Sequence, residues 1–267
     1  MEHRLDLLRD PVSSSSHFLT ALLAVVATLF LYRLTPADPA RRLAAVVFGL
    51  SAVVLYTASG LYHALQLPPD ELRVFQKIDM SAIYLLIAGT CTPMMVVLLH
   101  GRFRTVVLAA QWLCAVVGIA ALWLLPKPEH SLLVGLYLGM GWLGAIGIWH
   151  YWRATGWRGV RWAIGGSVLY TIGAAIELAE WPVVWTGVIR SHELLHFCDI
   201  GGTACHLVFI VGYVVPYRTK PLPQMATAST LAKRHSYGET SAATSPGNVV
   251  SVVSEGVAEW NETEPNG

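Results

Sequence analysis

Residues 192–215 read HELLHFCDIGGTACHLVFIVGYVV, an apolar run that opens on two histidines and a glutamate. At 1.5 Å per residue, a helix of this length crosses a hydrocarbon layer of about 30 Å with some tilt. His192 and His196 are four apart, so on a helix they stand one turn from each other, and both imidazoles can reach one metal ion. His192-Glu193-Leu194-Leu195-His196 also spells H-E-x-x-H, the zinc-protease signature in which the glutamate serves as general base. The plain alternative is a pair of histidines decorating the membrane–water boundary at a helix start.

The remainder of the chain places this run in a membrane protein. Of 267 residues, 54% are hydrophobic and 13% charged, with a mean hydropathy of +0.52. A soluble domain averages about 25% charged residues. A net charge of +1 and a pI near 7.8 give no polyelectrolyte character and no reason to expect nucleic-acid binding. Cys91, Cys114, Cys198 and Cys205 lie in apolar segments without C-x-x-C spacing and read as small buried hydrophobes.

Six further apolar segments precede the quoted one, at about 17–34, 43–65, 78–99, 105–125, 132–150 and 161–178. Together they predict an all-α, polytopic bundle of seven transmembrane helices over residues 17–217. A cleavable signal peptide is the competing reading of the first segment, but that segment exceeds the usual apolar core and is followed by many like it. Residues 1–16 read as a polar lead, and residues 218–267, rich in Ser, Thr, Ala, Pro and Glu, as a disordered polar tail. The sequon Asn261-Glu262-Thr263 in that tail reads as a coincidence. Prolines mark the loops, and Trp149, Tyr151, Trp152, Trp157 and Trp162 collect where an amphipathic ring suits the interface. Arg4, Arg9, Arg73, Lys77, Lys127 and Arg190 fall on the N-terminal side. The larger set, including Arg33, Arg41, Arg42, Arg102, Arg104, Arg153, Arg158 and Arg161, falls on the other. By the positive-inside rule this favours an outside N-terminus.

Ionisable groups inside spans are expensive, which makes each a candidate site residue. Ser59 and His63 share a face late in the second segment, Asp79 begins the third, and His192 and His196 begin the seventh. In a seven-helix serpentine all of these lie at the N-terminal face of the membrane. Three imidazoles, His63, His192 and His196, plus water make a catalytic zinc pattern with an open fourth position. Asp79 could bind that water or take its proton, and Ser59 could orient His63 or a substrate oxygen. Against this, Asp79 also fits a helix N-cap, and serine is common where membrane helices pack closely. His17 opens the first span on the same face, as a cavity residue or an interfacial one. Asp199 suits a carboxylate supporting the site or a proton path, while His206, a turn or so deeper, reads as a packing histidine. Glu193 is either the protease-type base or solvent-facing, and Glu177 and Glu180 could line the mouth.

Several stretches resemble one known family. The run from Asp79-Met80-Ser81-Ala82-Ile83-Tyr84 to Gly89-Thr90-Cys91-Thr92-Pro93 resembles the segment typical of hemolysin III proteins, the bacterial branch of the progestin and adipoQ receptor family. So do Ser59-x-x-x-His63, Gly165-Gly166 with Tyr170-Thr171-Ile172-Gly173, the His192–His196 motif followed by His206, and the opening Pro11-Val12 to Ser16-His17. The likeness runs from about residue 10 to 215 and is specific in combination. It implies a seven-helix membrane protein with zinc held by His63, His192 and His196, and Asp79 and Ser59 beside it. In the related adiponectin receptors such a site is associated with ceramidase-type amide hydrolysis. Bacterial members are named for haemolysis and channel-like lysis. Asp199, where an apolar residue is usual, and the polar tail depart from the family pattern. The receptors place the N-terminus in the cytosol, opposite to the charge count.

Three functions follow from these residues. The first is a zinc-dependent hydrolase of a lipid amide or ester, ceramidase-like, with membrane lipids as partners and substrate. The second is a non-enzymatic sensor or pore with structural zinc, although the polar residues gather at one end instead of forming a continuous stripe. The third, an intramembrane metalloprotease, takes Glu193 as the base but lacks a second membrane motif for its third ligand.

Overall fold

The structure is a computed structural model that describes residues 8–126, 129–186 and 188–218. Apart from Arg218 the expected tail lies outside the described residues, as do residues 1–7 of the expected lead. The described residues form seven α-helices: α1 (Pro11–Leu34), α2 (Pro39–Ala64), α3 (Pro69–Leu98), α4 (Gly101–Leu124), α5 (His130–Ala145), α6 (Ile148–Ala179) and α7 (Ser191–Phe209). A π-helical turn, Ile210–Val214, continues α7. Six of the helices are long and apolar enough to cross a membrane, with α5 shorter. The seven-helix, multi-pass membrane architecture expected from the sequence is therefore what the chain adopts.

Proline sets several helix starts. Pro11, Pro39 and Pro69 occupy first positions, where the ring's fixed φ suits a helix and its missing N–H costs nothing. At α2 the Asp38 carboxylate also accepts the Arg41 N–H at 2.8 Å, satisfying one of the free donors of the first turn.

Helix bounds depart from the apolar segments where polar residues continue a helix beyond the hydrocarbon. α3 starts nine residues before the segment predicted at 78, and Asp70 and Glu71 in its first turn complement the positive end of the helix dipole. Asp79 is therefore well inside α3, and the N-cap role that the sequence allowed it belongs to Pro68. α1 likewise starts at Pro11, which puts His17 in its second turn, where it is buried. The segment predicted at 132–150 is not one helix. α5 stops at Ala145, giving a rod of about 24 Å, and residues from Ile148 belong to α6. α6 is two helical pieces joined across Gly156, whose φ of +65° only glycine adopts without strain. Of the aromatic residues placed at this interface, Trp149, Trp152 and Trp157 are exposed, Trp162 is half-buried and Tyr151 is buried.

α2 and α3 form the interior of the bundle, and α1, α4, α6 and α7 turn most of their apolar surface outward. Leu19, Leu22, Leu23, Val26 and Leu29 on α1 and Val106, Leu113, Val116 and Val117 on α4 are largely exposed. In water such faces would aggregate; in a bilayer they are the lipid-facing surface. Cys114 is exposed on α4, against the expectation of four buried cysteines, while Cys91 is buried and Cys198 and Cys205 are half-buried.

Where α1 crosses α2, close approach depends on Gly49, since an added Cβ would lie 2.7 Å from Thr28 Cβ. Gly49→Val is expected to cost about 1–3 kcal/mol through overpacking. Thermal unfolding of the detergent-purified protein should show the lower midpoint, while Gly135→Val, whose Cβ meets open space, should leave it unchanged.

Candidate metal centre

α2 ends with His63 in its last turn, α7 begins with His192 and His196 in its first two, and α1 brings His17 to the same end. His63 and His196 are buried, whereas His192 stands at the rim with 40% of its side chain exposed. One ligand atom from each of His63, His192 and His196 lies within 4.8 Å of the others, a group that could hold a metal ion. Ring centroids are 5.0 Å apart for His63–His192, 4.8 Å for His63–His196 and 4.5 Å for His192–His196. The three histidines predicted to converge from distant parts of the chain do so.

The hydrogen bonds of two rings fix how they face one another. His63 Nδ1 lies 2.9 Å from Asp10 Oδ2, and His192 Nδ1 lies 3.2 Å from Glu177 Oε1. An ionised carboxylate only accepts, so each Nδ1 carries the proton and donates it. With a single proton each, the rings present the lone pairs of their Nε2 atoms, which stand 3.2 Å apart. Two nitrogens bound to one zinc at about 2.05 Å with tetrahedral angles would be about 3.3 Å apart. The pair therefore fits a tetrahedral metal without moving. His196 is set more loosely, and its buried Nδ1 has no hydrogen-bond partner.

Asp10 belongs to a short strap that covers the end of α2. The Asp10 N–H donates to the His63 carbonyl at 2.9 Å, and the Arg9 N–H to the Ala64 carbonyl at 3.3 Å. These are carbonyls of a helix C-terminus, which have no partner within the helix. Arg9 Nε also donates to Asp10 Oδ2 at 3.0 Å, and its guanidinium covers the Tyr62 ring at 4.4 Å. The hydrogen bond from His63 holds the Asp10 carboxyl below its usual range, against partial burial, and Arg9 adds to the effect.

Ser59, expected to orient His63 or a substrate oxygen, instead donates its hydroxyl to the Asp79 carboxylate, which is within electrostatic reach of His192. His17 is buried against the three histidines. It stacks on His196 with centroids 4.1 Å apart, meets Tyr56 edge-on, and has neither ring nitrogen hydrogen-bonded. Glu193 is half-buried and its carboxylate is engaged at the start of α7. Its carboxylate accepts the Arg190 N–H at 2.8 Å and the Ser13 hydroxyl at 3.2 Å, capping α7 and tying it to α1. Of the two glutamates considered for the mouth, Glu177 reaches His192 and Glu180 is exposed.

Asp199 does not join the histidines. It lies deeper, beside the Tyr56 hydroxyl, which is 2.6 Å from Thr203 Oγ1, itself 2.8 Å from the Tyr170 hydroxyl. His206 packs below, stacked on Tyr170, in space left by Gly166, where an added Cβ would fall 2.6 Å from His206 Nε2. His206 is buried and packed as the sequence reading expected, and its Nδ1 has no hydrogen-bond partner among the described residues.

The sequence reading did not single out Asp10. Nothing in a polar lead marks one aspartate among several charges as the partner of a histidine 53 positions away. The one usable signal was Asp10-Pro11, a polar residue and a proline at a helix start.

With this geometry established, known proteins supply the comparison. Residues 5–207 match the family described as "Haemolysin-III related". The chain belongs to that family. It is 32% identical to "Hemolysin-3" of Bacillus cereus over 170 residues, 64% of this chain and 74% of the relative. A "Hemolysin-3 homolog" of Bacillus subtilis (strain 168) is 30% identical over 169 residues, 63% of this chain and 76% of the relative. The "Adiponectin receptor protein" of Drosophila melanogaster is 26% identical over 181 residues, 60% of this chain and 41% of that protein. This haemolysin III family member is thus a multi-pass integral membrane protein whose three clustered histidines can hold a metal ion.

Elemental analysis of the purified protein is expected to find one metal ion per chain in the wild type and none in His63→Ala or His192→Ala. Glu193→Gln should retain it. Retention in His63→Ala with loss in Glu193→Gln would contradict this site.

Proposed function

We propose that this haemolysin III family protein is a zinc-dependent hydrolase of a lipid amide or ester bond, with the metal held by His63, His192 and His196. The observation that carries the reading is the pair of Nε2 lone pairs 3.2 Å apart, each pinned by a carboxylate on the far side of its ring. An all-imidazole donor set suits zinc, and three protein ligands leave a position for water or substrate. When bound, zinc supplies Lewis acidity toward a carbonyl and toward water.

The chain's own residues do the rest. Asp79, held by Ser59, takes the proton from the attacking water and delivers it to the leaving amine or alcohol. Ser59 keeps that carboxylate aimed toward the site. His17, buried with both nitrogens available, offers a hydrogen bond to an oxygen entering between the rings. The exposed rim at His192 gives the access route. The α6–α7 loop leading to it exposes Trp181, Val183, Val184 and Trp185, an apolar edge of the kind that sits among lipid head groups. A substrate with an acyl chain in the bilayer and its carbonyl near the interface fits that approach.

A second reading treats the metal as a structural staple joining α2 to α7 in a receptor-like or pore-forming protein. It is favoured by the position of the site, where helices from both ends of the fold meet and a bound metal would add to the Ser13–Glu193 and Tyr56–Thr203 hydrogen bonds that already join them.

Nanodisc-reconstituted, zinc-loaded protein is expected to release free fatty acid from some member of a panel of ceramides, N-acyl amines and acyl esters. Asp79→Asn should lower that rate by at least about 100-fold while retaining zinc. No release across the panel from zinc-loaded wild type would reject the hydrolase and leave the staple.

A further inference from the structure

We infer that Asp10 and Glu177 are positioning residues of the metal centre, fixing His63 and His192 in the Nδ1–H tautomer with Nε2 aimed inward, and that the Arg9–Asp10 strap is a working part of the site. The inference rests on the metal-binding reading of the three histidines and concerns what prepares them.

A neutral imidazole has two tautomers and can turn about its χ2 bond, so a histidine on a helix is an imprecise ligand until its second nitrogen is engaged. Carboxylates on that nitrogen settle tautomer and orientation together and raise the basicity of the ligating atom. Here the carboxylates come from two separate elements. Asp10 precedes α1 and reaches the last turn of α2 at 2.9 Å; Glu177 is in the last turn of α6 and reaches the first turn of α7 at 3.2 Å, with its other oxygen at 3.4 Å. Each lies on the side of its ring opposite to the partner histidine's Nε2, which is the arrangement that aims both lone pairs at one point.

Asp10 is itself held on both sides. Arg9 Nε shares Oδ2 with His63, and the Asp10 backbone N–H is bound to the His63 carbonyl. Residue 10 thus holds residue 63 by side chain and main chain at once, and a shift of the strap moves the ring. His196 has no such partner on its buried Nδ1 and packs against the His17 ring instead. Two ligands are thus pre-aimed and the third adjusts.

The test is zinc affinity of the full chain in nanodiscs, by competition with a chromogenic chelator. Asp10→Ala and Glu177→Ala should each weaken zinc about 10–100-fold. Glu180→Ala, which removes an exposed carboxylate three residues beyond Glu177, should change affinity by less than about twofold. Asp10→Asn, whose amide oxygen can accept the same bond without charge, should recover part of the loss. Ring ¹⁵N shifts of the metal-free protein give a second readout that general loosening would not move. His63 should be Nδ1-protonated in wild type and a tautomer mixture in Asp10→Ala, with His192 unchanged. Should Asp10→Ala not fold, Glu177→Ala carries the same test through His192 with the roles exchanged. If both carboxylate variants bind zinc like wild type while His63→Ala binds none, the inference fails and the metal site stands. If wild type binds no zinc, both fail.

Discussion

Two neutral imidazoles that present lone pairs to each other at 3.2 Å repel unless a cation lies between them. A direct hydrogen bond would need a second proton on one of the rings, since the carboxylate on the far side of each claims the first for Nδ1. The end of the bundle is built to hold this arrangement. α2 and α7 supply the rings, and the α1 strap and the end of α6 supply the carboxylates. Glu193 fastens α7 to α1 through Ser13. Elements from both ends of the described chain meet there, at the depth where a membrane helix passes from hydrocarbon to head group. Charged groups are least costly at that depth.

Farther into the membrane the polar groups follow a different rule. The Tyr56 and Tyr170 hydroxyls share Thr203 Oγ1, joining α2, α6 and α7, the Tyr56 hydroxyl also donates to the Asp199 carbonyl at 3.3 Å, and His206 fills the space opened by Gly166. Hydrogen bonds between helices hold this region together, and the stacked His206 ring packs closely beneath them. Asp199, which the sequence allowed as a support for the histidines, belongs to this deeper cluster. Its place is explained by Tyr56.

Much of this was legible because two periodicities suffice for it. Apolar runs long enough to span a bilayer give the helices. The alternating direction of successive spans then brings the end of α2, Asp79 on α3 and the start of α7 to one face. Four-residue spacing did the rest for Ser59 with His63 and for His192 with His196. Polarity, however, reports the membrane boundary and not the helix boundary. α3 therefore began earlier than its apolar run, and Asp79 lost its alternative as a cap. The break between Ala145 and Ile148 falls within one continuous apolar run, and no local pattern marks Gly156 among its neighbours as the glycine of positive φ inside α6. The H-E-x-x-H spelling drew attention to Glu193, whose work is to cap the helix. The carboxylates that reach the rings, Asp10 and Glu177, are far from them in sequence and became visible only when the helices were packed.

We propose that a metal ion belongs between these rings. X-ray absorption at the zinc edge of the purified, zinc-loaded protein tests it most directly. A tetrahedral environment of nitrogen and oxygen scatterers at about 2.0–2.1 Å, with the outer-shell pattern of three imidazoles, is the expected spectrum. A zinc surrounded only by water and carboxylate oxygens, or carrying a sulfur scatterer at about 2.3 Å, would place the metal away from the three histidines.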